Sequence, residues 1–441
     1  MARLGEKWRT MQCVKGFMLP FVVLLCVSSS FADQLSSQID LVVNKALENH
    51  KFVGASILVV EPGGRILKKH FGFRDREAQI SPDENTLYEL GSITKPLTRI
   101  LLATQNKIQL NDKLSKHLPS PYRSPAPLGQ EIKIIDLITH TGIKFSVPCT
   151  VRKPNLSEMK CFGVNIDGEL LDPYINVTRE NLFEFVNEYS YTVEELPEYF
   201  KKPGFYYSYS NVGMGLVGEL LAQSNGTTYE DMLKSKVLQP LGMQDTTVTL
   251  PCESTGSCNN VAKVYGKNLL LADWSGKPLW HLPGMAGAGG VRSNLKDMQV
   301  LLTSVLNPSQ SPLRKELATS MTKLSIATQR HNSNICKEGE NSLSDLCNPK
   351  LMDLYYGWES VPGHSELFHG GQTGASQSMM LFSPGESFGV VILSNSKVGM
   401  GEQTKFHFPN DLALCIYQLA GRRLSDKDFC QKSMNIESTP Q

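Results

Sequence analysis

Ser92 and Lys95 stand three residues apart at the head of an apolar run, Ser92-Ile93-Thr94-Lys95-Pro96-Leu97. On a helix, residues i and i+3 share a face, so the lysine can reach the serine hydroxyl. A serine is a weak nucleophile until a neighbour takes its proton, and a lysine does so once burial or nearby positive charge lowers its pKa. The chemistry open to such a pair is acyl transfer through an acyl-enzyme. Pro96 has no N–H and suits the first turn of a helix, where a backbone N–H such as that of Ser92 is available to an oxyanion.

The spacing alone carries little weight, because Ser157/Lys160, Ser293/Lys296, Ser320/Lys323 and Ser394/Lys397 share it. Two further elements give it company. Tyr209-Ser210-Asn211 follows Lys202-Pro203-Gly204 and opens the apolar run Met214 to Leu221; a tyrosine moves protons and an asparagine holds a substrate carbonyl. His369-Gly370-Gly371-Gln372 enters a strand-like stretch, where Gly371 lets an extended substrate come close and the Gln372 N–H offers a second oxyanion donor. Each element has a look-alike. Tyr174-Ile175-Asn176 has no helix behind it and reads as structural, and His140-Thr141-Gly142 leads into a cysteine loop instead of a strand.

Taken together, in this order and with these flanks, the three elements resemble the serine β-lactamase and penicillin-binding protein superfamily, with its class C branch most similar. Leu137-Ile138-Thr139-His140-Thr141-Gly142, Gly289-Gly290-Val291, Tyr356-Gly357-Trp358 and Gly389-Val390-Val391 extend the likeness over nearly all of the chain after its first residues. Pro240-Leu241-Gly242-Met243-Gln244-Asp245-Thr246-Thr247 resembles the DD-carboxypeptidase/endopeptidases of the AmpH type. The resemblance implies Ser92 as nucleophile, Lys95 and Tyr209 as the proton-transfer pair, Asn211, His369, Gly371 and Gln372 as substrate-binding residues, and His369 in the cation position of the third motif. Most β-lactamases have Lys-Thr-Gly there. A titrating histidine replaces a fixed charge, so recognition of a substrate carboxylate should weaken.

The implied function is an exported penicillin-binding DD-carboxypeptidase/endopeptidase on peptidoglycan peptides. The alternatives are a class C-like β-lactamase, an esterase or D-aminopeptidase, and a non-catalytic penicillin or peptidoglycan receptor. No metal ligand set or nucleotide-binding loop is visible, so no cofactor is expected.

The elements that must position these residues follow from periodicity. Ile39, Val42, Val43, Ala46 and Leu47 mark a helix over Ser36 to His50. Ala55 to Val60, the turn Glu61-Pro62-Gly63-Gly64 and Arg65 to Phe71 read as a hairpin. Gln377 to Phe382 and Phe388 to Leu393, around Ser383-Pro384-Gly385-Glu386, read as a second, followed by a helix near Asp411 to Ala420. The middle is mainly helical, with a capping-box-like start at Thr228. The expected architecture is an α/β (α+β) fold of the β-lactamase/transpeptidase type, an antiparallel sheet flanked by helices with an inserted helical lobe. Its sheet lobe spans about 33–88 and 275–441, and its helical lobe about 89–274.

Composition limits the rest. With 44 lysines and arginines against 43 acidic residues, no long-range field favours nucleic acid. Lys7, Arg9 and Lys15, the apolar stretch Phe17 to Val27 and Ser30-Phe31-Ala32 read as a signal peptide over residues 1–32. That stretch falls short of the roughly 20 apolar residues that cross a bilayer, and no later segment reaches that length. Export places the mature chain in the periplasm of a bacterium or outside a eukaryotic cell. The cysteines beyond the leader fall in short-range pairs, Cys149/Cys161, Cys252/Cys258, Cys336/Cys347 and Cys415/Cys430, expected as disulfides of an oxidising compartment. Asn155, Asn176 and Asn225 head sequons open to glycosylation in a eukaryotic host.

Overall fold

The strands that build the sheet are, in chain order, β1 (Gly54–Val60), β2 (Ile66–Gly72), β3 (Tyr88–Glu89), β4 (Cys149–Val151), β5 (Met159–Cys161), β6 (Arg292–Ser293), β7 (Asp353–Leu354), β8 (Glu359–Ser360), β9 (Leu367–Gln372), β10 (Gln377–Ser383) and β11 (Phe388–Ser394), with β3, β4, β5 and β6 in small pairs outside it. The principal helices are α1 (Pro20–Glu48), α2 (Thr94–Ala103), α3 (Ile134–Ile138), α4 (Arg179–Glu188), α5 (Asn211–Ser224), α6 (Ala286–Gly289), α7 (Leu295–Leu306) and α8 (Asn410–Leu419). This computed structural model describes residues 20–151, 159–163, 172–189, 202–204, 206–250, 260–268, 273–324, 329–330, 353–360, 365–398, 408–422 and 429–430.

The two expected hairpins form and share one antiparallel sheet of order β7-β8-β9-β10-β11-β1-β2. The N-terminal hairpin turns at Gly63 and Gly64, both at positive φ, where glycine carries no steric penalty. It joins the C-terminal hairpin through β1 and β11, with Leu58 opposite Val391. Both strands are buried throughout because helices cover both faces, which explains apolar runs in place of strict alternation. Ile57, Val59, Val390 and Ile392 pack with Ile39 and Val43 of α1 and Leu412 and Ile416 of α8. Leu58, Val60, Val391 and Leu393 face the larger core with α2, α3, α5 and α7. Each such side chain removed from water contributes about 1.5–3 kcal/mol.

α1 extends further toward the N-terminus than the expected Ser36 start and runs continuously past Ala32, the expected end of the leader. Among the described residues no helix is long and apolar enough to cross a membrane. Past residue 274, α6 packs on α5 and α7 lies on the sheet, where Leu302 leaves no room for a Cβ at Gly389. Cys149–Cys161 and Cys415–Cys430 are disulfide-bonded as expected; Cys252, Cys258, Cys336 and Cys347 lie outside the described residues.

Candidate active site

Ser92 occupies a 3-10 turn, Gly91–Ile93, that leads directly into α2, so Lys95 sits in the first turn of that helix with its side chain fully buried. Its Nζ lies 2.8 Å from Ser92 Oγ, 2.8 Å from Asn211 Oδ1 and 2.7 Å from the Ala288 carbonyl oxygen. Burial and the Arg99 charge one turn further along hold the Lys95 pKa well below the ordinary lysine range, with Glu359 opposing. A neutral amine has two N–H donors and one lone pair. When the amine is deprotonated, the two carbonyl oxygens can take both donors and the lone pair is left for the Ser92 hydroxyl, the arrangement proton abstraction needs.

The second element is set by a helix cap. Ser210 Oγ accepts the Gly213 N–H at 2.9 Å and so starts α5, with Tyr209 just outside the helix and Asn211 in its first turn. The Tyr209 hydroxyl is hydrogen-bonded to Ser92, and its ring lies 4.8 Å from Lys95 Nζ. Burial pushes the Tyr209 pKa up, so the phenol keeps its proton at neutral pH.

The third element reaches the site from the sheet. Gly91 has φ +51°, and a Cβ there would lie 2.5 Å from the Gln372 nitrogen; a Cβ on Gly371 would lie 1.9 Å from the Leu90 oxygen. These two glycines therefore let the Ser92 turn and β9 press together, bringing the backbone of Gln372 beside the nucleophile. Beyond Phe368, the edge of β9 away from β10 has no strand beside it among the described residues.

His369 departs from expectation. Its ring is 2% exposed, and Nδ1 donates to the Gly370 carbonyl oxygen at 2.7 Å while Nε2 has no hydrogen-bond partner. Burial, Arg99 and Lys95 hold its pKa well below the usual histidine value. Charging a buried ring beside an arginine is costly, so this setting opposes the cation that the resemblance implies for the position.

Two look-alikes belong to the site. Tyr174, read from sequence as merely structural, accepts the Asn211 Nδ2 hydrogen bond at 3.0 Å and donates its own proton to the Ser146 oxygen, fixing which way the Asn211 amide faces. His140, at φ +57°, lies 4.6 Å from the Tyr209 ring, tilted by 34°, and takes the Ser210 N–H on Nδ1. Arg99 donates to the Ile138 and Gly357 oxygens and contacts His140 Nε2. The apolar flanks of Arg99 in a helix that must be buried were the one sequence signal for it. The Ala288 carbonyl had none, since a backbone oxygen leaves no mark on residue type.

Of the other Ser-x-x-Lys pairs, Ser320 and Ser394 spend their hydroxyls on the Leu317 and Gly54 carbonyl oxygens, and Ser293 binds Thr246. Lys296 pairs with Asp245. Ser157 lies outside the described residues.

A two-lobed fold of antiparallel sheet and helices, with a serine, a buried lysine, a tyrosine and a glycine strand at the junction, is the architecture of the β-lactamase and penicillin-binding class. The Beta-lactamase family profile matches residues 39–145 and 184–408, and the chain belongs to that family. It is similar to the Protein flp of Staphylococcus aureus strain MW2, 23% identical over 364 residues that cover 81% of this chain and 62% of that protein. The chain thus spans under two thirds of the flp proteins it matches. A Beta-lactamase of Pseudomonas fluorescens is 22% identical, over 85% of this chain and 97% of that one. In structure it is similar to the octameric penicillin-binding protein homologue of Pyrococcus abyssi, with TM-score 0.63, 22% identity and coverage of 91% and 79% of the two chains.

Proposed function

We propose that this protein is a serine hydrolase that forms an acyl-enzyme at Ser92. The observation that carries the reading is the buried Lys95 amine, whose Nζ is held 2.8 Å from Ser92 Oγ, 2.8 Å from Asn211 Oδ1 and 2.7 Å from the Ala288 oxygen. Lys95 takes the Ser92 proton as the hydroxyl oxygen attacks the acyl carbon. The N–H groups of Ser92 and Gln372 receive the oxyanion, and Tyr209 gives its proton to the leaving group and regains one from protonated Lys95. Deacylation repeats the sequence with water as nucleophile.

The substrate class named first is a D-amino-acid-containing peptide of the peptidoglycan type. Its support is the edge of β9, which has no strand beside it past Phe368 among the described residues and suits an extended donor, and the DD-carboxypeptidase/endopeptidase motif resemblance. A buried His369 with a lowered pKa brings no fixed charge to a terminal carboxylate, which favours endopeptidase-type amides and esters over carboxy-terminal cleavage. A β-lactamase is the second reading, favoured by the Pseudomonas relative's name. The leader-like start and the two disulfides support export.

Labelling of the purified chain with a fluorophosphonate and with fluorescent penicillin, followed by intact mass and peptide mapping, tests the core of this reading. One adduct on Ser92, lost in Ser92→Ala, is expected; no adduct with either reagent removes the proposal. Nitrocefin turnover and amide cleavage in muropeptides then separate the two substrate classes.

A further inference from the structure

Glu89 closes β3 three residues before Ser92 and is 5% exposed. A buried carboxyl is costly unless its oxygens are bonded, and both are. Oε2 accepts the Thr373 hydroxyl at 2.6 Å, and Oε1 accepts the Trp280 backbone N–H at 2.6 Å. Thr373 directly follows Gln372. Three further contacts bind the same two segments: Ser378 Oγ donates to the Leu90 oxygen at 2.7 Å, Gly91 packs on the Gln372 backbone, and Gly371 packs on the Leu90 oxygen. Trp280 carries the link to the opposite wall. Its ring lies 5.5 Å from that of Tyr174, and Asp172 accepts from the backbone N–H groups of both His281 and Tyr174.

We propose that Glu89 is the positioning residue of the oxyanion hole, holding the N–H groups of Ser92 and Gln372 at a fixed separation by tying the nucleophile loop to Thr373 and to Trp280. The inference rests on acylation at Ser92 as read above, and it extends that reading to a residue that does not touch substrate. Misplacing an oxyanion donor by a fraction of an ångström weakens its bond to the transition state far more than substrate binding, since the ground-state carbonyl makes weaker use of it. The clamp does not require a charge. Burial pushes the Glu89 pKa up, against the pull of Thr373, Arg292 and Trp280, and either protonation state satisfies both neighbours because the Thr373 hydroxyl can rotate.

Glu89→Gln retains both links: its carbonyl accepts from Trp280 and its amide donates to the rotated Thr373 hydroxyl. Glu89→Ala removes both, and Thr373→Val removes one. With p-nitrophenyl acetate as probe, Glu89→Ala is expected to lower kcat roughly 10- to 100-fold with KM within about 2-fold, and to weaken phenylboronic acid, which mimics the tetrahedral state, in proportion. Thr373→Val falls between, and Glu89→Gln stays within about 3-fold of the parent. Hydrogen exchange read by mass spectrometry should rise in residues 89–94 and 370–376 together in Glu89→Ala, and less in Thr373→Val, with β1 and β11 unchanged.

Equal damage in the glutamine and alanine variants, a loss confined to KM, or unchanged exchange in either segment overturns the clamp. If Glu89→Ala fails to fold, Thr373→Val and Glu89→Gln carry the same test. A parent protein that takes no fluorophosphonate on Ser92 sinks the hydrolase reading, while the exchange arm still decides whether Glu89 couples the two segments.

Discussion

Lys95 Nζ lies 2.7 Å from the carbonyl oxygen of Ala288, a residue 193 positions further along the chain. That contact exists because α6 is nearly side-chain-free where it meets α5. A Cβ on Gly287 would sit 3.0 Å from both the Gly218 Cα and the Met214 oxygen. Gly287→Ala should therefore push α6 outward, cost about 1–3 kcal/mol through overpacking, and draw the Ala288 oxygen off Lys95. A thermal melt together with the acylation rate checks this; a variant with both unchanged contradicts the packing argument.

Lys95 predicts the pH dependence of acylation. Its folded-state pKa is depressed, so the base limb of the rate profile should fall on the acid side of the ordinary lysine value of about 10.4, activity being lost as pH drops through the folded pKa. The stability sign follows separately. Between the folded pKa and about 10.4 the unfolded chain binds the extra proton, so stability rises with pH across that window. Urea unfolding of the parent and Lys95→Met at pH 7 and pH 10.5 should show the parent gaining on the variant at the higher pH. A gap that stays constant would mean Lys95 is not depressed.

His369 predicts the opposite of a charged third motif. Because its folded pKa lies below the usual value of about 6.5, no rate limb near that pH belongs to it, and His369→Gln should keep the shape of the profile from pH 6 to 8. Its contribution to stability is lost as pH falls below about 6.5, where the unfolded histidine gains a proton that the folded one refuses. An acid limb near 6.5 present in the parent and absent in the variant would restore the cation reading.

Tyr174 and Tyr209 should separate cleanly. Tyr174→Phe removes the acceptor of the Asn211 amide and leaves that N–H buried, a change worth about 1–3 kcal/mol in orienting the substrate clamp, expected as a raised KM more than a lowered kcat. Tyr209→Phe removes a proton donor to the reacting groups and should lower kcat by on the order of 100-fold or more. If Tyr174→Phe costs kcat as heavily as Tyr209→Phe, Tyr174 has a chemical part not assigned to it here.

Sequence by itself determined the elements and the seven candidate residues. The hairpins around Gly63 and Ser383 and the helices behind Ser92 and Ser210 are written in local periodicity, turn residues and caps, which act over a few residues and need no knowledge of the rest of the chain. Ser92, Lys95, Tyr209 and Asn211 were legible because each sits at a helix start with an apolar run behind it. Tertiary structure alone decided what those residues can do. It buried Lys95 next to Arg99, which lowers its pKa, and set its Nζ within hydrogen-bond distance of Ser92, Asn211 and Ala288. It also buried His369, which lowers its pKa, and turned Tyr174 from a look-alike into the partner of Asn211. Protonation and hydrogen-bond satisfaction depend on which groups from distant parts of the chain exclude water around a given atom, and residue spacing carries no record of that.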